Sequence, residues 1–284
     1  VANVLLAYPN LTDAATLSGG SWQIPLTALQ DRRVSRVART TNTTSSNTKF
    51  VADMGKAKKL TVVALVGHNL TTQAKWRVRL SDAADFSTVT YDSGWTNAWQ
   101  VVFTPDMLEW EDDNWWDGTI AETDRAGYPG LLLCQLDRLY LHRYVEVSFD
   151  DATNVDGFLQ FGRLMLASAF QPAKNMSYGA SLGYETDTKV TRSLAGAEYF
   201  DVKPGRRVKR FSLDWLTPDE ARAHVLEMQR QLGVHGELLV MHNPDDKINM
   251  LRESFLARMR TISPLTQPYF AAFTNSFELQ ESIG

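Results

Sequence analysis

The chain has 284 residues, 44% hydrophobic, 22% charged and 11% aromatic, and a net charge of −4 from 29 Lys and Arg against 33 Asp and Glu. This is the balance of an ordinary globular protein, with no basic field for nucleic acid. Cys134 stands alone, which excludes an internal disulfide framework and a cysteine-rich zinc site, and no apolar run approaches the roughly 18 residues of a membrane helix.

The opening stretch VANVLLAYPNLTDAATLSGG has no basic leader and only a short apolar run. It does not read as a signal peptide, so a soluble protein, intracellular when made, is expected. Residues 1–170 read as short strands joined by turns. Thr48–Asp53 is β-rich, and Leu60–Gly67 is a β-branched run of the kind buried on both faces. Lys75–Leu80 alternates, with Trp76, Val78 and Leu80 on one face. Val89–Ser93, Gln100–Phe103, Arg143–Phe149 and Phe158–Leu166 are further strand candidates. Turns are expected at Gly55-Lys56, Gly67–Asn69, Asp92–Gly94 and Asp156-Gly157. This spacing predicts a β-sandwich or jelly roll, with an insertion near 105–130.

Residues 171–205 are polar and read as an extended connection with two weak strands, whose Tyr178, Leu182, Tyr184 and Phe200 need somewhere to pack. Residues 206–284 carry the clearest local signal. The alternating strand Arg207–Trp215 leads into Thr217-Pro218-Asp219-Glu220, a capping box with Pro at the first helical position. Ala221, Val225, Met228 and Leu232 then form one apolar helical stripe that Gly233 ends. Strands at Glu237–Met241, near 253–261 and at Tyr269–Gln280 follow. A mainly β protein is expected: an N-terminal sandwich, then a small antiparallel sheet or split barrel with one helix.

The search for chemistry returns little. His68, His142, His224, His235 and His242 stand in no zinc-binding pattern. Gly179-Ala-Ser181-Leu-Gly183 matches the nucleophile-elbow pattern, but no helix is expected after Ser181. Cys134, in the apolar run Leu131–Leu136, reads as a buried inert thiol. Asp150–Gly157 is rich in Ca²⁺-type oxygen ligands without EF-hand spacing, and reads as a solvated turn. No cofactor, metal or catalytic residue is expected, and the protein is not expected to be an enzyme. The unusual stretch is Glu109–Asp124. Trp110, Trp115 and Trp116 lie there among Glu109, Glu111, Asp112, Asp113, Asp117, Glu122 and Asp124, with Trp95 and Trp99 upstream. Four readings stay open: a subunit contact anchored by tryptophan, a loop packed on its own domain, sugar binding by stacking and carboxylate–hydroxyl bonds, and glycoside chemistry.

Two resemblances add to this reading. Residues 48–166 resemble discoidin-type, galactose-binding-like β-sandwiches, with Asp53, Gly55, Gly67, Asn69 and Ser81 at the places of that family's strand-end and turn residues and RYVEVSFDD as a closing strand. The whole chain also resembles tailed-bacteriophage structural proteins of the distal-tail kind. The residues that carry this are Asn3-Val-Leu-Leu-Ala-Tyr-Pro9-Asn10, the stretch DGFLQFGRLMLASAFQPAKNMSYGASLG, and the strand–helix–strand block 207–280, with the order of sandwich and barrel reversed. The second resemblance implies a virion protein of the tail tip or baseplate, made in the host cytoplasm. It would assemble with copies of itself in a ring, trimer or hexamer, and with other tail proteins. Val225, Met228 and Leu232 would lie on an assembly helix. The alternative is a carbohydrate-binding module that grips a host cell-surface glycan with its Trp-rich loop.

Overall fold

The computed structural model describes residues 2–125 and 127–282. It divides into two compact units, one of residues 2–171 with Leu239–Phe255, the other of Pro172–Leu238 with residues 256–282. The fold is mainly β, as the alternation predicts.

Two strands of 20 residues, Lys49–His68 and Leu131–Asp150, frame the first unit. They pair antiparallel twice, Lys49–Asp53 with Ser148–Tyr144 and Val62–Val66 with Gln135–Leu131. Between these stretches the register shifts, once from Asp53 to Lys58 and again from Leu60 to Val62. Bulges of this kind bend a strand and increase its twist, and the two sides of the bend have different neighbours. Around Asp53 the layer continues through Thr16–Ser18 on one side and through Lys75–Ser81 and Val89–Asp92 on the other. Around Val62–His68 it continues through Gln160–Ala167, Ala38–Thr40 and Trp22–Ile24. Two layers therefore share the same two strands. Phe50, Trp76, Val78, Val147 and Phe149 from one meet Val63, Leu65, Leu132, Leu164 and Leu166 from the other in a single core. That is a β-sandwich.

Val62–Val66 is buried throughout, as its composition predicts. Val63 and Leu65 enter the sandwich core, while register places Val62 and Ala64 on the opposite face with Met165 and Arg163. Arg163 is fully buried there and donates to Asp13 Oδ1 at 2.5 Å and to the Leu29 carbonyl at 3.3 Å.

Two local expectations are corrected. The turn at Gly55-Lys56 is a bulge inside one continuous strand. Gly55 takes φ +73° and donates its N–H to Asp53 Oδ1 at 2.8 Å, and Arg143 clasps the same carboxylate at 2.7 and 2.8 Å. The left-handed backbone at Gly55 is what lets the strand turn the corner without ending. Gln100–Phe103 is not a strand. The N–H groups of Val102 and Phe103 both donate to the Gly118 carbonyl at 2.9 Å, so the segment is tied to a loop rather than to a sheet edge.

In the second unit, Arg206–Leu216 pairs with Ser181–Glu185 on one side and with Ala272–Glu281 on the other. Ala272–Glu281 also pairs with Phe255–Ile262 and with Thr266–Tyr269. Residues 189–201 fold back as a separate hairpin, Lys189–Arg192 against Glu198–Asp201. Tyr178, Leu182, Tyr184 and Phe200, expected to find packing partners, are exposed instead. Edge pairing and a lone hairpin satisfy the backbone here without offering these side chains a second layer. The helix begins as predicted: Glu220 donates its N–H to Thr217 Oγ1 at 3.3 Å, and Glu220 Oε2 accepts the Thr217 N–H at 2.9 Å. It runs as a π-helix over Glu220–Leu226 and an α-helix over Glu227–Leu232. Ala221, Val225, Met228 and Leu232 are buried.

Candidate functional site

The tryptophans singled out by the sequence do not converge. Trp110 and Trp116 are 74% and 86% exposed, Trp115 is half-buried and meets Trp116 edge-to-face at 4.7 Å, and Trp95 is exposed. The surrounding carboxylates build their own loop. Asp112 Oδ2 accepts the Glu109 N–H at 2.9 Å, and Asp113 Oδ2 accepts that of Glu122 at 3.3 Å. Asp117 Oδ1 accepts the Thr119 N–H and hydroxyl at 3.0 and 2.7 Å. Burial works against the Asp117 charge, yet these bonds hold its carboxyl below the usual range. The Asp124 side chain lies outside the described residues.

Trp99 is different. Its Nε1 donates to the Leu70 carbonyl at 3.0 Å, its ring lies 5.1 Å from that of His68, and the Arg125 guanidinium sits 4.9 Å over it. This fixed ring forms part of a cleft in the first unit. Leu131 and Leu133 belong to it because alternation turns them outward while Leu132 and Cys134 point into the core. Asn97, Gln100 and Val102 come from the segment after the strand Val89–Asp92, and Lys247, Met250 and Leu251 come from Leu239–Phe255. The inner part is narrow, about 40 Å³. Its mouth, open to solvent, is about 460 Å³ and adds Tyr91, Ser93, Thr96 and Gln135. Cavities of a few hundred Å³ with apolar walls and a few polar groups are the usual form of a small-molecule site.

The polar groups of the cleft differ in what they have left to offer. The Ser93 hydroxyl accepts the Val78 N–H at 2.9 Å, and Thr96 Oγ1 donates to the Trp76 carbonyl at 3.2 Å. Among the described residues, Gln100 Oε1 is shut off from solvent and accepts no hydrogen bond. An unsatisfied buried carbonyl costs about 1–3 kcal/mol, a cost that a ligand hydroxyl or N–H would remove. His68 Nε2 is likewise buried without a partner, and His68 Nδ1 accepts the Leu70 N–H at 3.2 Å, which leaves the ring proton on Nε2. Burial, helped by the Arg125 charge, pushes the His68 pKa down to about 3. Tyr91 is raised above its ordinary range by burial and by its contact with Cys134 Sγ at 3.5 Å, and burial raises the Cys134 thiol as well. Cys134 thus sits as the inert thiol the sequence suggests.

The remaining motifs have structural roles. Ser181 opens an exposed strand paired to Arg210 and stands on no strand–helix elbow. In the Asp150–Gly157 turn, Asp151 accepts the Thr71 hydroxyl and N–H at 2.6 and 3.0 Å, and Asp156 accepts Asn69 Nδ2 at 2.8 Å. Among the described residues no group of His, Cys, Asp or Glu is arranged to hold a metal, and no helix is long and apolar enough to cross a membrane. Val225, Met228 and Leu232 are buried within their own chain. Of the sequence candidates only Trp99 lines the cleft. Asn97, Gln100, Gln135 and Lys247 carry no sequence signal, because single amides and a lone lysine mark nothing until the fold gathers them.

No protein-family model and no curated protein matches the chain. Among solved structures it is similar to CBM32-1 from a family 31 glycoside hydrolase of Clostridium perfringens, at 14% identity over 57% of this chain and 99% of that one, TM-score 0.36. It is similar to the lectin domain of lectinolysin, complexed with Lewis B antigen, at 15% identity over 58% and 98%, TM-score 0.38. It is also similar to a chitosan-binding module of a chitosanase/glucanase from Paenibacillus sp. IK-5, at 10% identity over 57% and 100%, TM-score 0.37. Each is a galactose-binding-like sandwich, and that part of the sequence resemblance agrees with the layers described above. The tail-tip expectation is corrected: these three structures are carbohydrate-binding modules or a lectin domain, and the ring and the tail partners find no support among them.

Proposed function

We propose that this protein binds carbohydrate, holding a glycan in the cleft beside Trp99 without chemical turnover. The observation that carries the reading is the buried, unpartnered Gln100 Oε1 in that cleft. Around it the Asn97 and Gln135 amides make no side-chain hydrogen bond among the described residues and stand ready for ligand hydroxyls. Trp99 and the outward leucines supply apolar wall for the non-polar face of a sugar ring. The exposed Ser181 and the buried Cys134 offer no activated nucleophile, so binding rather than catalysis is the better reading.

The test is glycan-array screening followed by titration calorimetry on the best ligand. Gln100→Ala and Asn97→Ala should each weaken binding by about tenfold, while Gln100→Ala leaves the melting temperature unchanged or raised, since it deletes an unsatisfied group. Failure of the protein to retain any glycan would refute the reading. Loss of binding in Trp116→Ala with none in Gln100→Ala would move the site to the Trp-rich loop.

A further inference from the structure

The cleft carries one charged side chain. Among the described residues lining its inner part and its mouth, Lys247 alone is ionised, and no aspartate or glutamate stands among them. We infer that the ligand is an acidic sugar, a glycan unit bearing a single anionic group such as the carboxylate of a uronic or sialic acid. Lys247 would hold the anion, and Gln100 Oε1 would accept a neighbouring hydroxyl. The inference rests on the carbohydrate-binding reading above and adds to it the charge of the ligand.

The charges around the cleft favour this. Lys247 is exposed and has no ion-pair or hydrogen-bond partner among the described residues. Its sequence neighbour Asp246 keeps its charge and turns its carboxylate to Asn249, accepting the Asn249 N–H at 3.0 Å and Asn249 Nδ2 at 2.9 Å. The other cation nearby, Arg125 over Trp99, lies close enough to Asp117 to lower that carboxyl, so its charge is matched. Asp137, close enough to Tyr91 to raise its pKa, accepts the Tyr140 hydroxyl at 3.0 Å. Lys247 therefore brings to the cleft an ammonium that makes no ion pair among the described residues. A neutral sugar seated there would cover the ammonium without pairing it, which discriminates against neutral ligands as well as for anionic ones.

The experiment uses the whole chain and matched pairs of ligands: oligogalacturonic acid against its methyl ester, sialyllactose against lactose, and galactose sulfate against galactose. Calorimetry should show at least one acid bound about tenfold or more tightly than its neutral partner. The gap should narrow as salt is raised to about 0.5 M, and the pair that shows it identifies the anion. In Lys247→Gln the acid-to-neutral affinity ratio should fall to about one, whereas Gln100→Ala should weaken both members of the pair alike. Because Lys247 is exposed, the variant should melt like wild type, which separates lost recognition from lost fold. Neutral sugars bound as well as or better than acids overturn the inference and leave the carbohydrate reading standing. So does an acid preference that survives in Lys247→Gln. Absence of binding by every member of every pair overturns that reading and the inference with it.

Discussion

His68 makes the stability of the first unit depend on pH in a window where carboxylates contribute little. Its pKa is pushed down to about 3 in the folded protein, from an ordinary value of 6.5. The folded state therefore stays unprotonated while the unfolded state takes up a proton as pH falls below 6.5. A depressed folded pKa means that the stabilisation is complete above the unfolded pKa and drains away as pH falls from 6.5 toward 3. Between pH 8 and pH 4.5 the difference amounts to at most about 3 kcal/mol, at roughly 1.4 kcal/mol per pH unit across the two units below 6.5. His68 as a residue is only half-buried, although its Nε2 is cut off from solvent, so part of that figure will be screened. The perturbation is His68→Asn, whose side-chain oxygen can still accept the Leu70 N–H that His68 Nδ1 now accepts at 3.2 Å. Urea unfolding of both proteins at pH 8, 6, 5 and about 4.5 gives the stability difference directly. Wild type should lose stability relative to the variant by about 1–3 kcal/mol across that range. In the folded wild type, the ring-proton NMR shift of His68 should not titrate. Parallel stability curves, or a ring that titrates near pH 6.5, would refute the argument.

Asn69→Ala removes a side chain that accepts the Gln160 N–H at 2.9 Å and donates to the Phe158 carbonyl at 3.1 Å and Asp156 at 2.8 Å, so calorimetric melting should show a loss of about 2 kcal/mol. Asp13→Ala leaves the fully buried Arg163 without its carboxylate at 2.5 Å. Breaking a buried pair costs about 3–5 kcal/mol, and since Asp13 is 40% exposed a loss nearer 2 kcal/mol is expected in urea unfolding. Thr217→Ala should cost about 1 kcal/mol through the lost helix cap. Val225→Asp should cost more than about 3 kcal/mol by placing an unpaired carboxylate at a fully buried site, and a variant that melts like wild type would show that this stripe faces water.

The parts of the fold that were legible in the sequence are those set by local pattern. Alternation at Trp76, Val78 and Leu80 marks a strand with one buried face, and the structure buries those three residues. The stripe from Ala221 to Leu232 and the Thr217–Glu220 cap mark the helix in the same way. The Gly55 corner was misread because a positive-φ glycine after an Asp serves a turn and a bulge equally well, and only the partner strand decides between them. The exposure of Tyr178, Tyr184 and Phe200 is not legible in the sequence, because composition reports how apolar a side chain is, not how deeply the fold buries it.

The positions that carried the sandwich resemblance show why fold was easier to read than function. Asp53 holds the bulge at Gly55 and is clasped by Arg143. Asn69 ties its turn to Asp156, Phe158 and Gln160. The Ser81 hydroxyl donates to the Thr88 carbonyl at 2.7 Å and accepts the Ala83 N–H at 2.9 Å. A Cβ added at Gly67 would lie 2.7 Å from Val34 Cγ1. Each of these residues bends or pins the backbone, so together they specify an architecture and are silent about a ligand. The same is true of the carboxylates between Glu109 and Asp124, whose density suggested a binding loop and whose visible bonds close turns. On the proposed reading, the groups left over for recognition are the ones no local rule requires: among the described residues, an amide at Gln100 with nothing to accept and an ammonium at Lys247 with no ion pair. They lie 147 positions apart in the sequence and become a site only where residues 239–255 return to the first unit. Function in this chain is therefore to be sought in polar groups the fold leaves unsatisfied, and not in the residues that make the fold recognisable.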